Sequence, residues 1–222
     1  MPVPLIVLGN GRKDCIAEAL ASIGGRLRGV GPVLIVDDSG DPAYREWLES
    51  EHGVEVVPVA DDGKAGYWRA MRKVWQTAAG CRQVMFWEED FVLNQPLDAA
   101  DLVAVLDDCP HLTQIALVRQ SWFHNEHHHG GVIEALEAQR NRFQQRTNGH
   151  HYWIEHRACF TGNPSLIPAR TLRRPWPEGD WSESRFGRDL FADPKARGAY
   201  WGHRGDPPLV THVGRERAGH GY

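Results

Sequence analysis

The feature that most constrains the fold is an alternation of short apolar runs with helical patterns over the first 118 residues. The apolar runs predict buried parallel strands, and the stretches between them place apolar residues at helical spacing. Strands are predicted over 5–8, 33–36, 54–57, 83–87 and 113–118, and helices over 14–23, from Asp41 onward, over 66–79 and over 98–106. This order predicts an α/β fold with a mostly parallel sheet and right-handed crossovers.

The rest of the chain has a weaker pattern. Residues 120–157 are polar and rich in His and Arg, and their periodicity predicts only a helix over 131–143. An irregular stretch of this length in a compact domain is usually functional. A further helix is predicted over 185–191. Since no internal repeat or linker is visible, we expect a single domain over residues 1–222.

Composition is that of an ordinary globular protein, with 41% hydrophobic and 24% charged residues. The chain opens without a charged leader, no apolar run reaches membrane length, and the four cysteines include no C-x-x-C pair. We therefore expect a cytoplasmic protein with reduced thiols and no membrane span. Residues 1–118 hold 10 Lys and Arg against 18 Asp and Glu, whereas residues 119–222 hold 15 against 11. A basic second half suits an anionic partner, although such asymmetry also arises without function.

Acidic residues follow two of the predicted strands. Glu88, Glu89 and Asp90 end the strand that begins near Val84, and Asp37 and Asp38 end an earlier one. Carboxylates at the end of a buried strand are costly unless a positive group lies on them, and ligands bind at this end of an open α/β sheet. A divalent cation carrying a phosphate satisfies both conditions. The alternative is a solvated acidic turn, and Asp37 and Asp38 are also common turn formers.

The loop after the first strand does not form a known phosphate cradle. Gly9-Asn10-Gly11-Arg12-Lys13-Asp14 lacks the third glycine of the G-x-G-x-x-G motif, and no P-loop is present. Nucleotide binding would then use carboxylates and a metal. On this basis Asp37 and Asp38 are candidates to accept hydrogen bonds from a base or ribose.

At this point the chain resembles the GT-A glycosyltransferases. Phe86-Trp87-Glu88-Glu89-Asp90-Phe91 is similar to the E-D-D motif of the N-acetylglucosaminyltransferase I type, in which the third acid binds the metal on the nucleotide-sugar diphosphate. The resemblance implies that Asp90 is a metal ligand and that Glu88 and Glu89 face the ribose and sugar. The middle residue here is Glu, which is one methylene longer than the Asp of the family motif. Asn10, Arg12 and Gly66 are assigned to the same donor site.

Two later segments carry the same resemblance. The segment from Trp176 to Glu183 is similar to W-P-x-x-x-W-D-D, whose last acid is the catalytic base, so the resemblance implies this role for Glu183. The segment from Leu209 to Gly214 resembles a late strand that completes the metal shell with a histidine, here His212. The basic tail, with Arg217, resembles a cover over the diphosphate.

The resemblance implies a metal-dependent transfer of sugar from a nucleoside-diphosphate sugar, UDP-linked by family default, to a hydroxyl acceptor. Residues 1–118 would bind nucleotide and metal, and residues 119–222 would bind the acceptor, such as hydroxymethylated DNA, a protein hydroxyl or a soluble glycan. A single base without an enzyme nucleophile favours inversion at the anomeric carbon. A mixed carboxylate–imidazole shell suits Mn²⁺, with Mg²⁺ as the other cofactor expected.

Other interpretations stay open from the sequence. The run His124-Asn125-Glu126-His127-His128-His129 is compatible with a metal-dependent nuclease or hydrolase, because imidazoles bind zinc. A non-catalytic nucleotide-sugar-binding module would show the same motifs. Glu183 also has a structural interpretation as an acid in the first turn of a helix, where the helix dipole favours negative charge. His212 likewise has one, as a core histidine at the end of a strand. Gly162-Asn163-Pro164-Ser165 predicts a turn that shapes the acceptor side.

Overall fold

The computed structural model of the protein describes residues 2–214 and confirms the predicted α/β architecture. The elements of the first half are β1 (Val3–Gly9), α1 (Lys13–Arg26), β2 (Leu27–Arg28), β3 (Val30–Asp37), α2 (Pro42–His52), β4 (Glu55–Pro58), α3 (Tyr67–Thr77), β5 (Gln83–Glu88), β6 (Phe91–Leu93), β7 (Leu97–Asp98), α4 (Ala99–Asp108) and β8 (Leu112–Ala116). Those of the second half are α5 (His124–His129), α6 (Val132–Ala138), β9 (Phe143–Thr147), β10 (Tyr152–His156), β11 (Ser165–Pro168), α7 (Ala169–Leu172), α8 (Ser182–Leu190), β12 (Arg197–Trp201) and β13 (Val210–His212).

A nine-stranded sheet joins the two halves, in the order β4-β3-β1-β5-β11-β8-β12-β10-β9. β4, β3, β1 and β5 are parallel neighbours, and β8 is parallel to β12. β11 is antiparallel to β5 and β8, and β10 is antiparallel to β12 and β9. All strands of this sheet except β10 and β11 therefore run in one direction, which makes it mostly parallel, as the sequence predicts.

Alternation along the strands builds a core on each face of the sheet. Leu5 and Val7 of β1 face a cluster that includes residues of α1, α2 and α4, whereas Ile6 and Leu8 face a cluster built on α3 and α8. This period of two is what a strand buried on both faces requires. The carboxyl ends of β1 and β5 thus emerge between two packed layers, where the acidic run begins.

Helix α2 shows how local sequence sets an element's bounds. The side chain of Asp41 accepts a hydrogen bond from Ala43 N at 2.9 Å, Pro42 occupies the first turn, and Gly53 ends the helix in the left-handed region. A capping acid followed by proline starts a helix, and glycine ends one without steric cost. The predicted start at Asp41–Pro42 is therefore confirmed.

Some sequence predictions need correction. The helix predicted over 131–143 covers only Val132–Ala138, and Phe143 already belongs to β9, an edge strand whose mostly exposed residues hide the strand pattern. The His124–His129 run forms the short helix α5 instead of a loop. The two strands that end in acids are not side by side, since β1 pairs with both β3 and β5 and separates them.

Two further observations concern the cysteines and the membrane span discussed from the sequence. The four cysteines all lie within the described residues and form no disulfide. Among residues 2–214, no helix combines the length and apolar character needed to cross a membrane.

Candidate active site

A cleft of about 840 Å³ opens at the carboxyl ends of β1 and β5, between the first turns of α3 and α8. This is the end of an open α/β sheet at which ligands bind. Most of the predicted site residues line it: Asn10, Arg12, Gly66, Glu88, Glu89, Asp90, Glu183 and His212. The cleft therefore brings together motifs that are more than a hundred residues apart in sequence.

The carboxylate of Glu89 organises the loop after β1. Its Oε2 accepts hydrogen bonds from Asn10 N at 2.7 Å and from the hydroxyl of Tyr44 at 3.3 Å, and its Oε1 accepts one from Arg12 Nε at 2.6 Å. Glu89 is only 1% exposed, and burial raises its pKa despite these donors. Glu89 thus fixes the backbone of the loop after β1, which is the position of the glycine-rich phosphate-binding loop in other nucleotide-binding folds.

Asp90 contacts two side chains, those of His212 and Arg12, with a single oxygen. Its Oδ2 lies 2.9 Å from His212 Nε2 and 2.8 Å from Arg12 Nη2. Burial opposes ionisation of Asp90, but the hydrogen bonds and charges of His212 and Arg12 outweigh it and lower its pKa. Asp90 is therefore an ionised carboxylate at the edge of the cleft.

Secondary structure positions His212 opposite this acid. β13 pairs antiparallel with β6, which places His212 beside Phe91, and the two rings stack with centroids 4.7 Å apart. The ring of Trp122 packs against the imidazole with centroids 3.9 Å apart. Gly214 lies two residues after His212, and a Cβ there would overlap Asp90 Oδ2 and lie 2.9 Å from Arg12 Nη1. A larger residue at this position would therefore displace the side chains of Asp90 and Arg12.

Asp90 Oδ2 and His212 Nε2 are hydrogen-bonded, and their separation is also one that two ligands of a single cation can have. Two neighbouring ligands of an octahedral ion with bonds of about 2.1 Å lie about 3.0 Å apart, close to the 2.9 Å between Asp90 Oδ2 and His212 Nε2. Within residues 2–214, no cluster of three or more His, Cys, Asp or Glu side chains is arranged to hold a metal. A cation at this pair would need further oxygens from a ligand, which is how Mg²⁺-type ions bind phosphates.

Two unpaired polar atoms also face this part of the molecule. Asn10 Oδ1 and Arg12 Nη1 are buried and have no hydrogen-bond partner in the described part of the chain. Both residues line the cleft. A buried acceptor and a buried donor without partners are costly, so they favour a polar ligand at this place.

A second group of acids lies across the cleft. Glu183 Oε2 accepts a hydrogen bond from the hydroxyl of Tyr67 at 2.9 Å, and the N–H of Gly162 also donates to Glu183. A Cβ on Gly162 would lie 2.9 Å from Glu88 Oε1, 3.0 Å from Tyr67 Oη and 3.3 Å from Glu183 Oε2, so these three atoms surround one point. Glu88 thus faces Glu183, whereas Glu89 faces the β1 loop.

Burial tunes both of these carboxyl groups. It raises the pKa of Glu183 against the hydrogen bonds of Tyr67 and Gly162. It also raises the pKa of Glu88, and the charges of Asp90 and Glu183 add to that effect. A buried carboxylate with a raised pKa beside a cleft is a good general base near neutral pH.

An aromatic cluster anchors the segment that carries Glu183. Trp176 stacks on Phe186 with centroids 4.7 Å apart and packs against Trp75 of α3 at the same distance. Phe160 packs edge-on against Phe186 at 4.9 Å. Large buried aromatics give rigid packing. The cluster therefore holds α8 and the residue-160 segment together and fixes Glu183 beside Gly162.

Trp181 is the exception in this segment. It is 82% exposed, lines the cleft and has a φ of 58° in the left-handed region. A bulky residue in this region is an outlier and costs of order 1–3 kcal/mol. Such strain is typical of functional sites, and it places an indole at the rim two residues before Glu183.

We expect Trp181→Gly to be more stable than Trp181→Ala by about 1 kcal/mol, because glycine has no penalty at positive φ and the exposed indole contributes little packing. Urea denaturation of the two variants measures the difference. The same pair of substitutions at Tyr152, an exposed residue of β10, is the control and should give the opposite order, since glycine weakens a strand. An alanine variant at least as stable as the glycine variant at 181 would contradict the strain.

The other predicted site residues are placed outside the cleft. Asp37 accepts hydrogen bonds from Ser39 N at 2.8 Å and from its hydroxyl at 2.9 Å. Asp38 accepts from Ala65 N at 2.8 Å and Gly66 N at 3.1 Å, and so holds the start of α3. Both are fully buried, and burial raises the pKa of each. Arg217 lies outside the described residues, so its assignment stays a prediction.

Tyr44 and Tyr67 are site residues that the sequence motifs do not reveal. Each donates its hydroxyl to an acid of the site, Glu89 and Glu183 respectively. Tyr44 lies on α2 and Tyr67 begins α3. An aromatic residue on a helix is usually interpreted as core packing, so the sequence gives no sign of these hydrogen bonds. The useful signal for Tyr67 is its position directly after Gly66, in the first turn of a helix that starts at the cleft.

Comparisons with known proteins agree with this fold. No protein-family model matches the chain, and no curated protein sequence matches it. Among solved structures, the mannosyltransferase PcManGT from Pyrobaculum calidifontis, in complex with GDP-Man and Mn²⁺, is similar with a TM-score of 0.63 and 17% identity. S. aureus TarS 1–349 in complex with UDP-GlcNAc gives 0.59 and 16%, and GalNAc-T7 with UDP, GalNAc and Mn²⁺ gives 0.61 and 10%.

These alignments cover nearly all of this chain but only part of the similar structures. They include 97% of the chain and 58% of the mannosyltransferase, 97% and 61% for TarS 1–349, and 96% and 44% for GalNAc-T7. At this identity the likeness establishes the fold: the chain has the α/β GT-A fold of nucleotide-sugar glycosyltransferases, as predicted. The finer resemblance to the N-acetylglucosaminyltransferase I type stays a prediction.

Proposed function

We propose that the protein is a metal-dependent glycosyltransferase that moves a sugar from a nucleoside-diphosphate sugar, UDP-linked in our expectation, to a hydroxyl acceptor with inversion. The observation that carries this proposal is that the Asp90–His212 pair and the half-buried side chain of Glu183 line one cleft at the carboxyl ends of β1 and β5. Residues 1–118 supply the metal side and most of the donor side, and residues 119–222 supply Glu183, His212 and the acceptor side.

In this proposal, positive groups in the cleft compensate the negative charge of the donor diphosphate. Asp90 and His212 would hold Mn²⁺ or Mg²⁺, which, when bound, neutralises the charge that grows on the leaving nucleoside diphosphate. Arg12 adds a fixed guanidinium, whose Nη1 is without a partner and so can donate to a phosphate oxygen. Asn10 and Gly66 line the cleft beside it, and Asp37 and Asp38 shape its walls by holding the adjoining loops.

The acceptor hydroxyl needs a base as it attacks the anomeric carbon. Glu183 takes that proton in this proposal, because its carboxylate borders the cleft and is held by Tyr67 and Gly162. Burial raises its pKa, which makes the ionised form more basic than an ordinary glutamate. With one base and no enzyme nucleophile assigned, a single displacement with inversion is the simplest course.

The alternatives differ in what they require of the molecule. A nuclease or hydrolase built on the His124–His129 run would need several ligands around one ion, and the described residues offer no such group there. A non-catalytic nucleotide-sugar-binding module would use the same cleft without turnover. Release of nucleoside diphosphate separates it from a transferase.

The decisive experiment is a donor screen that follows nucleoside diphosphate release from UDP-, GDP- and dTDP-sugars with Mn²⁺, Mg²⁺ or EDTA. We expect release from one UDP-sugar with Mn²⁺ and its loss in EDTA. Binding of a nucleotide sugar without release under any acceptor would favour the non-catalytic module. EDTA-sensitive cleavage of plasmid DNA in the absence of release would favour the nuclease.

We expect Tyr67→Phe to lower the transfer rate by about tenfold and to move the acidic limb of the pH–rate profile to higher pH. The lost hydroxyl stabilises the ionised form of Glu183, so its removal raises the pKa of Glu183 further. Glu88 also bonds to Tyr67, so the same substitution raises the pKa of Glu88 further as well. Steady-state rates from pH 5 to 9 measure the shift. Tyr152→Phe, an exposed tyrosine outside the cleft, is the control, and an unmoved limb in Tyr67→Phe would remove the positioning role.

A further inference from the structure

A second cavity of about 600 Å³ lies behind Glu183. Glu183 lines both this cavity and the donor cleft, so its carboxylate stands between the two. In a transferase the group that reaches both sides is the base, and the second cavity is then the place of the acceptor. This step rests on the function proposed above. The chemistry of the cavity wall indicates which acceptor fits.

The wall carries unbalanced positive charge. Of its guanidinium groups, Arg119 forms a two-pronged ion pair with Glu126, with both N–O distances at 2.7 Å. Arg157 donates to the backbone carbonyls of Pro194 and Phe191, and neither it nor Arg188 pairs with an acid among residues 2–214. Apart from Glu126 and Glu183, the lining contains no acid. The lining therefore holds three arginines against two glutamates, and two of these arginines, Arg157 and Arg188, form no ion pair among the described residues.

Arg188 lies on the same helix as Glu183, five residues later, which is about 7.5 Å along the axis and about 140° around it. Both residues nevertheless line the second cavity. Ser184, one turn before Arg188, lines the cavity as well. Gly187 lets this helix approach closely, because a Cβ there would lie 2.9 Å from Phe160 N. The floor is made by apolar and weakly polar groups that include Phe160 and Tyr200.

We propose that the acceptor carries an anionic group, a carboxylate or a phosphate, apart from the hydroxyl that is glycosylated, and that Arg188 binds it with Arg157 beside it. Guanidinium groups bind both anions by paired, charge-assisted hydrogen bonds. A cavity of this size suits a monosaccharide and is not an extended groove for a polymer. The anion fixes the acceptor so that its hydroxyl points to Glu183.

Binding of three probes to the wild-type protein tests the acceptor class: methyl glucoside, its 6-phosphate and methyl glucuronide, measured by calorimetry. We expect at least one of the two anionic probes to bind at least about tenfold more tightly than the neutral one. The comparison of phosphate with carboxylate identifies which anion the pocket takes. Equal affinities for the neutral and both anionic probes, or no measurable binding of either anionic probe, would overturn the proposal.

Variants of Arg188 test the site. Arg188→Gln should abolish the preference for the anionic probe, and Arg188→Lys should keep part of it. Arg173→Gln, an exposed arginine that lines neither cavity, should change nothing. A preference that survives in Arg188→Gln would overturn the site. Arg157 would be the remaining cation, and its guanidinium already donates to two backbone carbonyls, so it should not give the preference by itself.

Mn²⁺-dependent release of nucleoside diphosphate, measured on the same preparations with and without each of the three probes as acceptor, separates this proposal from the function on which it rests. We expect release by the control variant Arg173→Gln to match that of wild type. Anion preference without any release would leave the binding site standing and refute the transferase. Release by wild type without anion preference would do the reverse.

Discussion

Asp90→Ala should lower Mn²⁺-dependent donor turnover by at least about 10³-fold while the protein stays folded. Asp90 is the carboxylate that meets His212 at 2.9 Å in the cleft, and its loss removes a metal ligand and with it several kcal/mol of transition-state stabilisation. The fold should persist because Glu89 still pairs with Arg12 at 2.6 Å. Nucleoside diphosphate release across a Mn²⁺ titration measures the effect.

Matched variants separate a metal role from a structural one. Asp90→Asn keeps the shape of the side chain but not its charge and should also be inactive, whereas Asp62→Ala, an exposed acid outside the cleft, should be unaffected. His212→Ala should be milder, since water can replace one ligand of an oxygen-rich ion. Mn²⁺ should support more turnover than Ca²⁺. Near-normal activity of Asp90→Asn with unchanged Mn²⁺ dependence would remove the metal assignment.

The parts of the site that the sequence predicts are those encoded by local pattern. The buried strand β5 is followed at once by three acids, and capping residues mark the start of α2. The order of strands and helices is enough to predict that such acids lie at the ligand-binding edge of the sheet. Burial and alternation act over a few residues, so the sequence displays them directly.

The remaining geometry depends on long-range contacts. His212 reaches Asp90 through a three-residue strand that pairs with β6, and so short a strand has no periodicity to detect. Arg12 joins Glu89 across 77 positions and Asp90 across 78, and the sequence does not show that it pairs with either acid. β9 is not predicted, and the helix predicted over 131–143 extends into its first residue, because its exposed polar residues carry no alternation of apolar side chains.

Glu183→Gln should leave donor binding intact and lower transfer to the acceptor by at least about 10²-fold. The amide is nearly isosteric and can keep the hydrogen bond from Tyr67, but it cannot take a proton from the acceptor. In wild type, the raised pKa of Glu183 places the acidic limb of the pH–rate profile above the range of an ordinary glutamate, and the rate rises as Glu183 ionises. The variant should lack this limb. Glu51→Gln, an exposed acid of α2, is the control.

Stability distinguishes this role from that of a first-turn acid stabilised by the helix dipole. Burial raises the pKa of Glu183 in the folded state, so its contribution to stability is present below the ordinary pKa of glutamate and is lost as pH rises through the raised value. At neutral pH, Glu183→Gln should therefore unfold no more easily than wild type. A dipole role predicts the opposite sign, a loss of about 0.3–1 kcal/mol. A variant that is destabilised and still transfers sugar normally would sink the catalytic assignment, and Asp180, an exposed acid of the same cleft, would become the next candidate base.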